Sequence, residues 1–226
     1  MKNKAVYIVL IKAMTGLGVF ARKIFKYPYT HIAVCLDENL DDFVTFSRRK
    51  HFAPFDAGFM HEKREHYAFG KYDSFQAKVF KLPVTEASYE KIKSYVSKIE
   101  NDDEYIFNIF SMVTMGLFHG VKIYKALNCM SFTAKIIELS EVTKLDRQYH
   151  KYNIKEMDDL LTDYLWKEEK FSKDKEDEAY MSRKVWLKNI GLYGRDRQRR
   201  ITANIALKIG KCLIGFFHRC YRCRRT

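Results

Sequence analysis

The chain has 226 residues, is 47% hydrophobic and carries 17 Phe and 15 Tyr, which excludes a disordered protein and fits one domain with a sizeable core plus appendages, or two small domains. Five cysteines in no regular pattern imply no disulfide framework and favour a reducing compartment, while the apolar run at residues 5–11 is too short for a signal peptide and no run reaches the ~20 residues of a membrane span. The net charge of +13 is lopsided: residues 183–226 hold 13 Lys/Arg and one acid, and the other 182 residues hold 28 basic and 27 acidic groups, so a nearly neutral body precedes a strongly basic tail.

In chain order, residues 5–12 form a short Val/Ile/Tyr run that predicts a buried strand. Thr15 suits the cap of a helix over 16–27, with Leu17, Phe20, Ala21, Ile24 and Phe25 at helical spacing and Pro28 as its stop. Strands follow at 30–36 and 42–47, joined by the polar loop 37–41; His31, Ala33 and Cys35 share one face of the first, and Ile32, Val34 and Leu36 the other. Residues 48–74 read as an irregular aromatic loop punctuated by Pro54, Gly58 and Gly70, long enough to suggest a lid or binding role. A strand over 74–82 is expected to end at Pro83. Thr85 caps a helix reaching about Glu100, with Tyr89, Ile92, Val96 and Ile99 as its apolar stripe. Residues 104–118 predict a buried helix, and 156–166 a short helix or turn. Residues 167–178 are almost wholly charged and of both signs, which reads as a linker or solvated helix.

The stretch 127–138 predicts a helix that begins at a cysteine. Asn128 is a good N-cap, and Phe132, Ile136 and Leu139 recur at spacings of four and three. Cys129 then occupies the first helical position, where unpaired N–H groups and the helix dipole favour an anion and make a thiol easier to ionise. A lone cysteine beside an apolar helix face is ordinarily a small core residue, so the position gains meaning only with a partner. His31, on a rigid strand, is the best placed of seven histidines; taken alone it reads more readily as a satisfied core histidine than as a catalytic base. A Cys–His pair also needs a third group to orient the ring. Thr45 and Ser47, on one side of the adjacent strand, are the available orienters, and neither is a carboxylate.

Several short motifs in order carry a family resemblance. Residues 7–12, Thr15-Gly16, the string from Tyr29 to Val34, Thr45-Phe46-Ser47-Arg48, Pro54-Phe55, Gly58-Phe59-Met60-His61-Glu62, Val84-Thr85 with Tyr89-Glu90-Lys91, and Asn128-Cys129-Met130-Ser131-Phe132 together resemble a bacterial family of the circularly permuted papain-like superfamily. These are the NlpC-type cysteine hydrolases and their lecithin:retinol-acyltransferase-like relatives. The likeness spans roughly residues 5–160. It implies an α+β fold in which an antiparallel sheet packs against helices and the histidine strand precedes the cysteine helix. It also implies Cys129 as nucleophile, His31 as general base and Thr45 as the polar residue on the neighbouring strand. The chain departs from its relatives in carrying Cys-Met-Ser-Phe-Thr, where they often have Cys-Ser-Gln-Phe-Val, and in having only Thr45 where some have a carboxylate or a second histidine.

The expected organisation is a permuted papain-like domain over 1–165, a charged linker or solvated helix over 166–182, and a basic amphipathic helical tail over 183–226. In the tail, Ile201, Ile205, Ile209, Cys212, Leu213 and Phe216 fall on one stripe flanked by arginines. Such a helix suits an anionic membrane surface through residues 195–226; docking on the protein's own core and contact with nucleic acid remain the alternatives. Cys220-x-x-Cys223 with Cys212 and His218 has zinc-ligand residue types but only one short CxxC, so neither metal nor cofactor is expected. The expected activity is a cysteine-dependent hydrolase or acyltransferase acting on a peptide, amide or acyl-lipid substrate through a thioacyl intermediate, located in the cytoplasm and peripherally on the inner face of the membrane. The competing reading is a weakly catalytic or inactive papain-like binding protein, tethered by its basic tail to anionic membrane or nucleic acid.

Overall fold

Six strands make one antiparallel sheet in the order β4-β3-β2-β1-β5-β8. They are β1 (Lys4–Ile11), β2 (His31–Cys35), β3 (Phe43–Arg48), β4 (Ala57–Glu62), β5 (Ser74–Val84) and β8 (Leu165–Ser172). The computed structural model describes residues 4–181 except 15–17, 20–21, 24–25, 53–55, 109–110 and 112–121. A small parallel pair, β6 (Ile106–Phe107) with β7 (Ala126–Leu127), stands apart from the main sheet. The helices are α1 (Glu86–Glu100), α2 (Cys129–Ser140), α3 (Ile154–Leu160) and α4 (Glu178–Met181). The molecule is thus α+β, with an antiparallel sheet against helices.

The sheet is covered on both faces, which explains why the middle strand reads as an unbroken apolar run. In β1, Val6, Ile8 and Leu10 join Ile32, Val34, Val44 and Phe46 beneath Ile92, Val96, Phe132 and Ile136 of α1 and α2. Tyr7, Val9 and Ile11 point the other way, with Ala33, Cys35, Phe43, Phe75, Ala77 and Val79, and are sealed by Tyr67 and Ala68. One cover is helical and the other is mainly loop. Each fully buried Leu, Ile or Phe contributes about 1.5–3 kcal/mol relative to exposure, so these two clusters dominate the stability of the sheet.

Several sequence expectations need adjusting. Pro83 does not end β5: the strand runs on to Val84, with Pro83 opposite Ala5 of β1. The pairing with β8 covers Ser74 to Phe80 only, so at Pro83 the other side of the strand is open and the missing N–H leaves no ladder bond unmade. The supposedly irregular 48–74 stretch contains β4 and a 3-10 turn at Arg64–His66. Within the range expected as a buried helix over 104–118, the described Ile106 and Phe107 are strand.

The charged stretch after Trp166 begins as β8, paired along β5, rather than as a linker or solvated helix. Of its eight residues only Phe171 is buried. Its Lys and Glu side chains blunt an exposed sheet edge, a use of charge that periodicity does not distinguish from a solvated helix. Within the range 16–27 expected as a helix, the described residues 18–19 and 22–23 are helical and 26–27 are not, while the tail at 183–226 lies outside the described residues.

Candidate active site

Two segments far apart in sequence are aimed at one point by ordinary local rules. Asn128, in extended conformation, accepts a hydrogen bond from the Ser131 N–H at 2.8 Å, while its own N–H donates to Ser131 Oγ at 2.9 Å. This reciprocal box fixes the start of α2 at Cys129. The residues just upstream are pinned as well: Ile106 and Phe107 pair with Ala126 and Leu127. Lys125, held in the left-handed region at φ 50°, has its ammonium 2.6 Å from both Asp102 and Glu104. Ser131 N–H is taken by the cap and Phe132 N–H by the Asn128 carbonyl. The Cys129 and Met130 N–H groups are the two that have no acceptor one helical turn back.

His31 opens β2, opposite Ile11 of β1, and its side chain is 13% exposed. Its Nε2 lies 2.7 Å from Glu62 Oε2. The Cys129 sulfur lies near enough to the same ring to help raise its pKa, and with Nε2 engaged by Glu62 the ring nitrogen that remains is Nδ1. The structure therefore brings together His31 and Cys129, 98 positions apart. Cys129 is itself partly exposed and can be approached from solvent.

Thr45 does not serve the ring. It is fully buried, and its hydroxyl donates to the Ile32 backbone carbonyl at 3.0 Å, tying β3 to β2. The group that orients His31 is Glu62, at the end of β4 and 4% exposed. Ser47 belongs to the cluster indirectly, donating to Glu62 Oε1 and lying 3.1 Å from Met60 Sδ. Tyr67 donates to Glu62 Oε2 at 2.7 Å. Glu62 thus accepts from two hydroxyls and one imidazole, enough to keep a buried carboxylate ionised.

Burial alone would push the His31 pKa down, but the Glu62 carboxylate and the Cys129 sulfur outweigh it and raise it to about 10. Burial alone would push Glu62 up; the imidazolium of His31 and the hydroxyls of Ser47 and Tyr67 reverse this and hold it below its ordinary range. Tyr67 is driven well above the usual phenol value by burial and by the neighbouring carboxylate, so it remains a proton donor. At neutral pH the pair is imidazolium and carboxylate.

Sequence reasoning missed Glu62. The residue lies inside the string Gly58 to Glu62, but with 48–74 read as irregular no register was assigned to it. Had Gly58, Met60 and Glu62 been recognised as one face of a strand, a carboxylate on the sheet would have stood out.

Cys35, the other described cysteine, is buried, and burial pushes its thiol up to about 11, an inert setting. Among the described residues no group of three or more His, Cys, Asp or Glu could hold a metal ion, and no helix is long and apolar enough to cross a membrane. Cys212, His218, Cys220 and Cys223 lie outside the described residues. No family model matches the chain, and no curated protein or solved structure matches it.

Proposed function

We propose that this protein is a cysteine-dependent hydrolase or acyltransferase of permuted papain-like type, acting on an amide, peptide or acyl ester. The observation that carries the reading is the buried Glu62–His31 bond beside Cys129, with the cysteine at a helix start and the histidine raised to about 10. The strand-before-helix order and the antiparallel sheet beneath α2 support the permuted papain-like assignment. A carboxylate on the imidazole weakens the case for the inactive binding protein, which rested on Thr45 being the third residue.

In this mechanism Cys129 acts as thiolate beside an imidazolium that already holds its proton. The sulfur attacks the acyl carbon, and the Cys129 and Met130 N–H groups receive the developing oxyanion. As the tetrahedral intermediate collapses, the bond to the leaving amine or alcohol breaks and His31 gives it the proton. Neutral His31 then takes a proton from water or an acceptor amine, which attacks the thioester and releases Cys129. Glu62 holds the ring in place and stabilises its charged form throughout.

The substrate class extends to peptide and acyl-lipid carbonyls. Attraction of the basic segment 195–226 to an anionic membrane surface on the cytoplasmic side is supported by its charge and amphipathic pattern.

The test is acylation of the full chain with p-nitrophenyl acetate, read as the release burst and by peptide mass spectrometry. Acyl label on Cys129, lost in Cys129→Ala and greatly reduced in His31→Ala, is the expected result. Equal labelling in His31→Ala, or no label on Cys129, would overturn the reading.

A further inference from the structure

Beyond the Cys129–His31–Glu62 group, a set of specific contacts joins residues 173–181 to the loop that carries Tyr67. The Asp177 carboxylate does two things at once. Its Oδ1 accepts from Tyr180 N–H at 2.9 Å, starting α4, and its Oδ2 lies 3.0 Å from His66 Nε2. Lys63 N–H donates to His66 Nδ1 at 3.1 Å. With Nδ1 accepting, the ring proton sits on Nε2 and is donated to Asp177.

Four further contacts repeat the attachment. Tyr180, 6% exposed, lies with its ring centroid 4.6 Å from that of His66, and its carbonyl accepts from His51 N–H at 3.0 Å. His51 in turn packs between Phe52 and Phe69, at 4.6 and 4.4 Å. Gly70 N–H donates to Glu176 Oε1 at 3.1 Å, and Lys173 N–H to the Asp73 carbonyl at 3.1 Å.

These contacts grip His51, His66, Gly70 and Asp73, and His66 and Tyr67 are neighbours in the chain. His66 is fixed by Asp177 on one side, and Tyr67 reaches Glu62 on the other. The groups that bond to the Glu62 carboxylate are His31, Ser47 and Tyr67, and burial together with the Glu62 charge raises the Tyr180 phenol, which stays neutral. Arg48, the nearby cation, acts on Tyr180 and ties back to the His51 carbonyl at 2.9 Å.

We infer that Asp177 and Tyr180 are positioning residues for the proposed acyl-transfer site. They brace Tyr67 against Glu62 and, through Glu62, fix the orientation and protonation of the His31 ring. This rests on the proposed reading of Cys129 and His31 as a reactive pair. It gives the charged segment that follows β8 a role in setting the site's chemistry. None of the strap residues touches the reacting atoms. Their action runs through His66, Tyr67 and Glu62.

The experiment is NMR titration of the His31 imidazole in the full-length protein, beside the pH profile of Cys129 alkylation by iodoacetamide. The proteins compared are wild type, Asp177→Asn, Tyr180→Ala and Tyr180→Phe. The expected result is a His31 midpoint about one pH unit or more lower in Asp177→Asn and Tyr180→Ala, with alkylation slowed at neutral pH, while Tyr180→Phe, which keeps the ring, retains the wild-type midpoint. Lowered melting temperatures with an unmoved His31 midpoint would mean the strap only holds the fold together, and would overturn the inference. Should Tyr180→Ala fail to fold, Asp177→Asn alone decides. If wild-type Cys129 alkylates like an ordinary thiol and is indifferent to His31→Ala, the acyl-transfer reading fails instead, a separate outcome visible before any strap variant is examined.

Discussion

The two faces of the central sheet are closed by different means, and the site lies where they meet. The helical face is mainly apolar, from Val6, Ile8 and Leu10 to Phe132 and Ile136, and its helix α2 delivers Cys129. The loop face is also apolar beneath β1, but it carries Ser47 of β3, Glu62 of β4 and Tyr67 of the covering loop, and it delivers the carboxylate. Packing against helices fixes where a backbone starts and ends. A loop cover admits buried polar groups, provided each one finds a partner. The helical face therefore sets the position of the nucleophile, and the loop face sets the charge of its partner.

The most severe way to break this division is to remove either half of the reacting pair. Cys129→Ala should lower acyl transfer by on the order of 10^4-fold or more, and His31→Ala by a comparable factor, with little change in melting temperature for the cysteine variant. Retention of full activity by either would remove both from the mechanism.

Next in size is the comparison of two residues on neighbouring strands. Glu62→Gln should reduce activity by on the order of 10^2–10^4-fold and bring the His31 midpoint from about 10 down toward 6.5. Thr45→Val should leave activity near wild type and cost about 1 kcal/mol of stability through the lost bond to Ile32. If Thr45→Val were the more damaging to turnover, the assignment of the orienting role to Glu62 would be wrong.

The ion pair should also be visible in stability against pH. Glu62 is depressed in the folded state, so its contribution is present above 4.5, the unfolded value, and is lost as pH falls through the folded value. His31 is raised, so its contribution is complete below 6.5 and is lost as pH rises toward about 10. Chemical denaturation should show the pair contributing most between pH 4.5 and 6.5, and Glu62→Gln should flatten both flanks. Unchanged flanks in that variant would mean that other groups govern the pH dependence.

The smallest effects lie on the helical face, within α2. Asn128→Ala removes the cap and should cost about 1 kcal/mol, with a further loss of Cys129 reactivity as the first turn frays. Thr133, fully buried on the same helix, has a hydroxyl with no hydrogen-bond partner. Thr133→Val should therefore be neutral or stabilising by up to about 1 kcal/mol, measured by urea denaturation. A marked loss there would show that the hydroxyl has a partner the static structure does not contain.

Much of this architecture was legible in the chain. The runs at β1, β2 and β3, the Thr85 cap and the Asn128 cap of α2 all follow from alternation, apolar spacing and short polar side chains at helix starts, which are local properties. Cys129 and His31 could be singled out on the same grounds, since each sits at an element's first residue. Tertiary structure decided what local pattern could not express. The carboxylate on His31 is Glu62, 31 residues away on a strand concealed in an aromatic stretch, while Thr45, one strand nearer, turns its hydroxyl to the Ile32 carbonyl. Pro83 stays within β5 because β8 stops short of it, and the charged residues after Trp166 form that edge strand. Each of these outcomes depends on which strand becomes a neighbour. Pairing is a contact between distant residues, so no window of sequence contains it.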